Sequence, residues 1–202
     1  MYVWRRKESR NAREPKLTHK QDIDIVVLTP GKTAEQLKDI LVRADSRFYT
    51  IRPKDLYATY RVLWFNLLTT GGSSYSLGRY HACKVDILLP GTMNIPSVPQ
   101  NLVLSIRKLP LMPMMPLLLL KLQAWMDHGS AIKQHLRDKQ PVDVLDINQL
   151  LVLAVARGVS LSTDAWMPES FVEAAESRVV IFGKQYPSSR QYWRKLGFGK
   201  KL

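Results

Sequence analysis

Two aspartates lie two residues apart in an apolar segment of the chain, where their carboxylates could share a cation. Asp22 and Asp24 alternate with isoleucine and valine, and this β-branched pattern predicts a strand over residues 22–28. Alternate residues of a strand face the same side, so the two carboxylates project together. Carboxylates held this close repel each other, and their hard oxygen atoms suit Mg²⁺ or Mn²⁺.

A third carboxylate occurs in a similar setting. Asp86 lies inside the apolar segment 82–89, which also has the pattern of a strand. If the two strands are neighbours, three carboxylates converge at one edge of a sheet. Three acids can hold two metal ions in the arrangement that serves phosphoryl or nucleotidyl transfer. The alternative is that these are acids at strand ends, paired with arginine or lysine from a very basic chain.

The elements that must position these residues divide the chain into a sheet-rich first half and a helical second half. The pattern predicts further strands over 47–51 and 58–68, a helix capped by Thr33, and helices over 117–127, 141–157 and 168–182. Six prolines between residues 90 and 116 favour an extended linker or irregular segment. We therefore expect an α+β protein with a basic irregular arm (1–20), a sheet domain (21–105) and a helical subdomain with a basic-aromatic tail (106–202).

The order of these motifs resembles the polymerase β-like nucleotidyltransferase superfamily. The D-x-D strand and the later aspartate strand are followed by a lysine in LLLLKLQAW (117–125) and by a D-x-x-D motif (143–146). This set is similar to the abortive-infection toxin (AbiEii-type) branch and to uncharacterised fungal members. The likeness runs from Gln21 to Leu151. It implies a mixed sheet with flanking helices, followed by a helical subdomain.

The resemblance also implies roles for the matching residues. Asp22, Asp24 and Asp86 would be the catalytic carboxylates that hold Mg²⁺ or Mn²⁺. Lys121 would reach the phosphates of the nucleotide, and Asp143 and Asp146 would line the cleft and organise that lysine or the acceptor. From the residues alone, Lys121 could instead extend to solvent from a helix edge. The two aspartates could simply stabilise the N-terminus of their own helix.

The implied activity is transfer of a nucleoside monophosphate from an NTP to a hydroxyl acceptor. The chain has 30 Lys and Arg against 17 Asp and Glu, a net charge of +13, which favours phosphate-rich partners and RNA as the acceptor. Members of the family have a Gly-Gly or Gly-Ser turn ahead of the D-x-D motif. This chain departs from that pattern, because the 21 residues before Asp22 contain no glycine. We therefore expect an N-terminally incomplete relative, which would be a truncated gene product, the product of a misread start or a degenerate member. The alternative function is a catalytically inactive, basic module that binds nucleic acid or protein.

The remaining signals concern compartment and tail. Cys83 is the one cysteine, so no internal disulfide can form, and we expect an intracellular protein in the cytoplasm or, alternatively, the nucleus. The apolar stretch 109–120 is too short to span a membrane, so no membrane partner is expected.

Four aromatic residues interleave with basic ones in the tail, which suggests base stacking or, alternatively, an amphipathic terminal helix; they are Tyr186, Tyr192, Trp193 and Phe198. The four histidines lack the spacing of metal ligands.

Overall fold

The computed structural model describes residues 22–28, 31–53, 55–67 and 82–199. The predicted basic arm, the Gly/Ser-rich segment 69–78 and the extreme end of the tail lie outside these residues. The chain divides into two compact units. The first runs to Thr92 and includes Ser105–Leu111, and the second comprises Met93–Leu104 and Met112 onwards. This division differs from the predicted boundary at residue 105.

The first unit is built on a mixed four-stranded sheet. Its strands are β1 (Asp22–Val26), β2 (Phe48–Ile51), β3 (Val62–Asn66) and β4 (Ala82–Leu88). Their order is β1-β4-β3-β2, with β1 parallel to β4 and the other pairs antiparallel. The strand predicted over 58–68 is shorter than expected, and the other three lie within a residue or two of prediction.

Helix α1 (Ala34–Ala44) packs on one face of this sheet. The predicted cap is confirmed: the Thr33 hydroxyl accepts from the Gln36 amide while the Gln36 side chain accepts from the Thr33 amide. Apolar side chains from alternate strand positions meet α1 in a small core, formed by Ile25, Leu63, Val85 and Ile87 with Leu37 and Leu41 packed against them. Strand residues of the opposite parity, including the three aspartates, therefore face away from this core.

The proline-dense segment forms short regular pieces rather than a purely extended linker. It contains two 3₁₀ turns (Thr92–Asn94 and Gln100–Leu102) and a two-stranded hairpin of β5 (Leu104–Ile106) and β6 (Leu109–Leu111). The hairpin turn consists of Arg107 and Lys108, both with positive φ, as a two-residue type I′ connection requires. The prediction missed this hairpin because neither residue is one of the glycine or asparagine residues that usually mark such turns.

The second unit is helical. It contains α2 (Met114–Gly129), α3 (Gln134–Arg137), α4 (Gln140–Ala156), α5 (Glu169–Gln185) and α6 (Arg190–Lys195). Helix α2 begins three residues before the predicted start, and Pro116 lies in its first turn, where no intrahelical amide donor is needed. Helix α4 ends where Gly158 takes a positive φ, the conformation that favours glycine after a helix.

The C-terminal aromatic residues help to form the core of this unit. Trp193 is fully buried and Phe198 nearly so, and their rings meet edge to face with centroids 5.7 Å apart. Trp193 also packs against Phe182 of α5. The expectation of a base-stacking tail was therefore wrong for these two residues, because a fully buried ring has no face to offer a base.

The predicted α+β class is confirmed, since a mixed sheet and several helices are both present. Among the described residues, no helix has the length and apolar character that crossing a membrane requires.

Candidate functional site

The three predicted carboxylates lie on the same face of two neighbouring strands. Strands β1 and β4 are parallel, with Asp24 directly opposite Asp86 and Asp22 directly opposite Lys84. Paired residues of adjacent strands project to the same side of a sheet. The conditional expectation that the two aspartate strands are neighbours is therefore confirmed, and β1 is an edge strand of the described sheet.

Lys84 lies among these carboxylates, a contact that the sequence analysis missed. Its ammonium donates to Asp86 Oδ2 at 2.5 Å and lies 3.9 Å from Asp22 Oδ2. Burial alone would lower the pKa of Lys84, but the hydrogen bond to Asp86 and the charges of Asp86, Asp22 and Asp24 raise it overall. A signal for this contact was present in the sequence, because Lys84 and Asp86 are two residues apart in a strand and share its face.

The donor chemistry of this group suits Mg²⁺ or Mn²⁺, since all three acids offer hard oxygen atoms. Three carboxylates and one ammonium leave a net charge of −2 on these four side chains. In the described part of the chain, however, no three acidic, histidine or cysteine side chains are arranged to hold one metal ion. The residues thus offer the donor atoms that such an ion prefers, but their described arrangement is not that of a metal site, and Asp86 is bound to Lys84.

Cys83 precedes Lys84 on the opposite, core-facing side of β4. It is buried, and its thiol donates weakly to the Lys84 carbonyl at 3.4 Å. Burial and then the negative charge of Asp22 raise the pKa of the thiol. A raised pKa leaves little thiolate at neutral pH, so Cys83 is a poor nucleophile.

In the second unit, the other predicted site residues meet between α2 and α4. The Lys121 ammonium donates to Asp146 Oδ2 at 3.2 Å, and Asp146 is buried. The expectation that a D-x-x-D aspartate organises this lysine agrees with that contact. The side chain of Lys121 retains 30% exposure.

A second pair lies beside the first. His128 Nδ1 is 2.5 Å from Asp143 Oδ2, and Asp143 is also buried. Lys121 and His128 are seven residues apart on α2, and Asp143 and Asp146 are three residues apart on α4. Both spacings place the two side chains on one face of their helix. No role was predicted for His128, although its spacing of seven residues from Lys121 indicates a shared helix face.

The two sets belong to different units: the Asp22, Asp24, Asp86 and Lys84 group to the first, and the Lys121 and Asp143/Asp146 group to the second. Comparison of the chain with protein-family models, with curated proteins and with solved structures found no match.

Proposed function

We propose that this protein is a nucleotidyltransferase that moves a nucleoside monophosphate from an NTP to a hydroxyl acceptor and releases pyrophosphate. The observation that carries the proposal is the in-register pairing of Asp24 with Asp86 on parallel neighbouring strands, with Asp22 on the same face. Two acids on one strand and a third on its neighbour match the catalytic carboxylates that the resemblance to nucleotidyltransferases implies.

Within this proposal, Asp22, Asp24 and Asp86 hold Mg²⁺ or Mn²⁺. Such an ion activates an attacking hydroxyl and neutralises charge on the transferred phosphate and the leaving pyrophosphate. The mixed sheet followed by a helical unit supports a nucleotidyltransferase-like fold.

Lys121 is proposed to bind nucleotide phosphates, with Asp146 as its positioning residue. The ion pair at 3.2 Å orients the ammonium, and the side chain is 30% exposed. Asp143, which is hydrogen-bonded to His128, lies one helical turn away and is proposed to line the same region. The net charge of +13 supports RNA as the acceptor.

The test is transfer of a radiolabelled NMP from each NTP to RNA by the wild type and by Asp24→Asn. We expect the variant to lose transfer by about a hundredfold or more, because the amide removes a charged oxygen ligand. Asp127→Asn, on the exposed face of α2, is the matched control and should transfer at the wild-type rate. Equal transfer by wild type and Asp24→Asn would show that the carboxylates do not hold a catalytic metal.

A second candidate function is a catalytically inactive module that binds nucleic acid through its basic surface. The observation that favours it is the Lys84 ammonium bound to Asp86, since that ion pair already neutralises part of the acidic group. Such a module would bind RNA equally well with and without Mg²⁺. Binding of NTPs that depends on Mg²⁺ would favour the enzyme instead.

A further inference from the structure

We propose that the β5–β6 hairpin binds single-stranded RNA, with Arg107 and Lys108 at its tip in contact with the phosphates. The proposal rests on the RNA binding that both candidate functions include. It assigns that binding to one surface of the chain, whereas the net charge alone assigns it to none.

The hairpin tip, Arg107 and Lys108, carries two positive charges that no acid neutralises. Both residues are exposed, and neither side chain has a hydrogen-bond or ion-pair partner among the described residues. By contrast, Lys38 and Arg47 of the same unit are each paired with a carboxylate. The sequence from 87 to 126 contains no Asp or Glu. The tip is therefore a place where a polyanion meets two adjacent cations that have no competing partner.

The identity of the turn residues also points to a role for their charge. Arg107 and Lys108 have φ values of 52° and 64°, in the left-handed region. Asn-Gly forms a type I′ turn with less strain than two residues with long side chains. The turn nevertheless holds two basic side chains next to each other at the end of the hairpin. Hairpin stability does not explain these residues, and attraction of phosphate groups does.

The strands behind the tip have an exposed apolar face. A two-residue turn pairs Ile106 with Leu109 and, two positions further back, Leu104 with Leu111, so these four side chains lie on one face. Leu104, Ile106 and Leu109 are between 41% and 45% exposed. A single strand of RNA has the faces of unstacked bases beside its phosphates. The basic tip and the apolar face thus match the two parts of such a strand.

A lipid surface fits this hairpin less well. A hairpin that enters the interface of a bilayer needs apolar side chains at the part that enters first. Here the two charges occupy the tip, and Ile106 and Leu109 lie behind them. The order of charged and apolar residues along the hairpin therefore favours a nucleic-acid strand as the partner.

The experiment measures binding of a labelled single-stranded RNA to the full chain by fluorescence anisotropy between 50 and 200 mM KCl. The hairpin variant is Arg107→Asn with Lys108→Gly, which removes both charges and gives the turn its preferred sequence. The control variant is Lys32→Gln with Arg52→Gln. Lys32 and Arg52 are exposed in the same unit, so the control matches the loss of two charges.

We expect the hairpin variant to bind RNA about tenfold more weakly or worse at 50 mM KCl, and the control variant to change the affinity less than about threefold. The slope of log K against log salt should fall by about 1.4 in the hairpin variant, since each phosphate contact on a single strand contributes about 0.7. Its melting temperature should equal or exceed that of the wild type, because Asn-Gly suits the turn. Equal weakening by the two variants would overturn the proposal.

A second measurement needs no variant. The acetylation rate of each lysine in the wild type is followed by mass spectrometry with and without saturating RNA. We expect RNA to slow acetylation of Lys108 several-fold, because a phosphate-bound ammonium reacts poorly, while the rate at Lys32 stays constant. A Lys108 rate that does not respond to RNA would overturn the proposal.

Binding to vesicles of phosphatidylserine and phosphatidylcholine tests the lipid surface. Loss of vesicle binding in the hairpin variant, with RNA binding unchanged, would overturn the proposal in favour of a membrane contact. If transfer of the nucleotide depends on Asp24 but RNA binding does not depend on the hairpin, the proposed function stands and this inference fails. If the hairpin binds RNA but the wild type transfers no nucleotide, this inference stands and nucleotidyl transfer fails.

Discussion

The chemistry of β4 depends on which face each of its residues occupies. Lys84 and Asp86 lie on the face of β4 that carries the acids, while the buried Cys83 lies on the other face. One face of β4 thus carries the partly exposed Lys84–Asp86 ion pair, and the other face carries the buried thiol of Cys83. The period of two that predicted the aspartate face also predicts that Lys84 belongs to it.

At this scale we predict that Cys83 reacts slowly. Burial and the nearby Asp22 charge raise the pKa of the thiol, so the native protein should react with a disulfide reagent at pH 7.5 at least about tenfold more slowly than the protein unfolded in urea. Absorbance of the released thiolate measures both rates. Equal rates in the two states would contradict the raised pKa and the burial of Cys83.

At the scale of elements, sequence patterns predicted most strands and helices but not which strands pair. Strands 22–28 and 82–89 were evident from alternation, whereas their parallel adjacency depends on long-range packing that no local pattern encodes. Likewise, the basic and aromatic composition of the tail could not show that Trp193 packs into the core. The candidate carboxylates were predictable because strand periodicity is local. The Lys121–Asp146 pair required the helix packing as well.

Glu35 connects α1 to the residue that precedes β3. Its carboxylate accepts from Lys38 at 2.6 Å and from Arg61 at 3.0 Å. Burial alone would raise the pKa of Glu35, but these hydrogen bonds lower it overall. A carboxyl whose pKa is lower in the folded state stabilises the fold above its unfolded pKa, and that contribution is lost as the pH falls through its folded pKa.

We therefore predict that Glu35→Gln is less stable than wild type by about 0.5–1 kcal/mol at pH 7, because the site is partly exposed. The difference should shrink as the pH falls below about 4.3, where the unfolded carboxyl becomes protonated. Urea unfolding at several pH values measures it, with the exposed Glu173→Gln as control. A difference that does not change between pH 7 and pH 3 would contradict the ionic origin of the contribution.

Of the two residues in the α2–α4 ion pair, Lys121 should contribute more to stability than the charge of Asp146, because only Asp146 is buried. Asp146 is 4% exposed, so Lys121→Met leaves a buried carboxylate without this partner and should cost about 1–3 kcal/mol. Asp146→Asn keeps an acceptor beside a lysine that can reach solvent and should cost less than about 1 kcal/mol. Urea unfolding of both single variants and the double variant measures this, and equal costs for the two single variants would contradict the asymmetry.

At the scale of the whole molecule, the chain has two units with separate cores and a strongly positive net charge. The first core lies between the sheet and α1, and the second is formed by the helices after Met112. The net charge of +13 is a property of the full chain, and it acts on any polyanion whichever function the carboxylates serve.

We predict that single-stranded RNA binds the full chain with a steep salt dependence. With three or more phosphates neutralised, the dissociation constant should rise about tenfold or more between 50 and 200 mM KCl. Fluorescence anisotropy of a labelled oligonucleotide measures it. A dissociation constant that does not change with salt would show that the basic charge does not form an RNA-binding surface.

The most direct test of the carboxylate assignment is isothermal titration of the full chain with each NTP, with and without Mg²⁺. The proposed function predicts binding of at least one NTP at about micromolar affinity that requires Mg²⁺ and is lost in Asp24→Asn. The Asp127→Asn control should bind as the wild type does. Binding that is the same without Mg²⁺ or in Asp24→Asn, or no binding of any NTP, would contradict a metal-dependent nucleotide site at Asp22, Asp24 and Asp86.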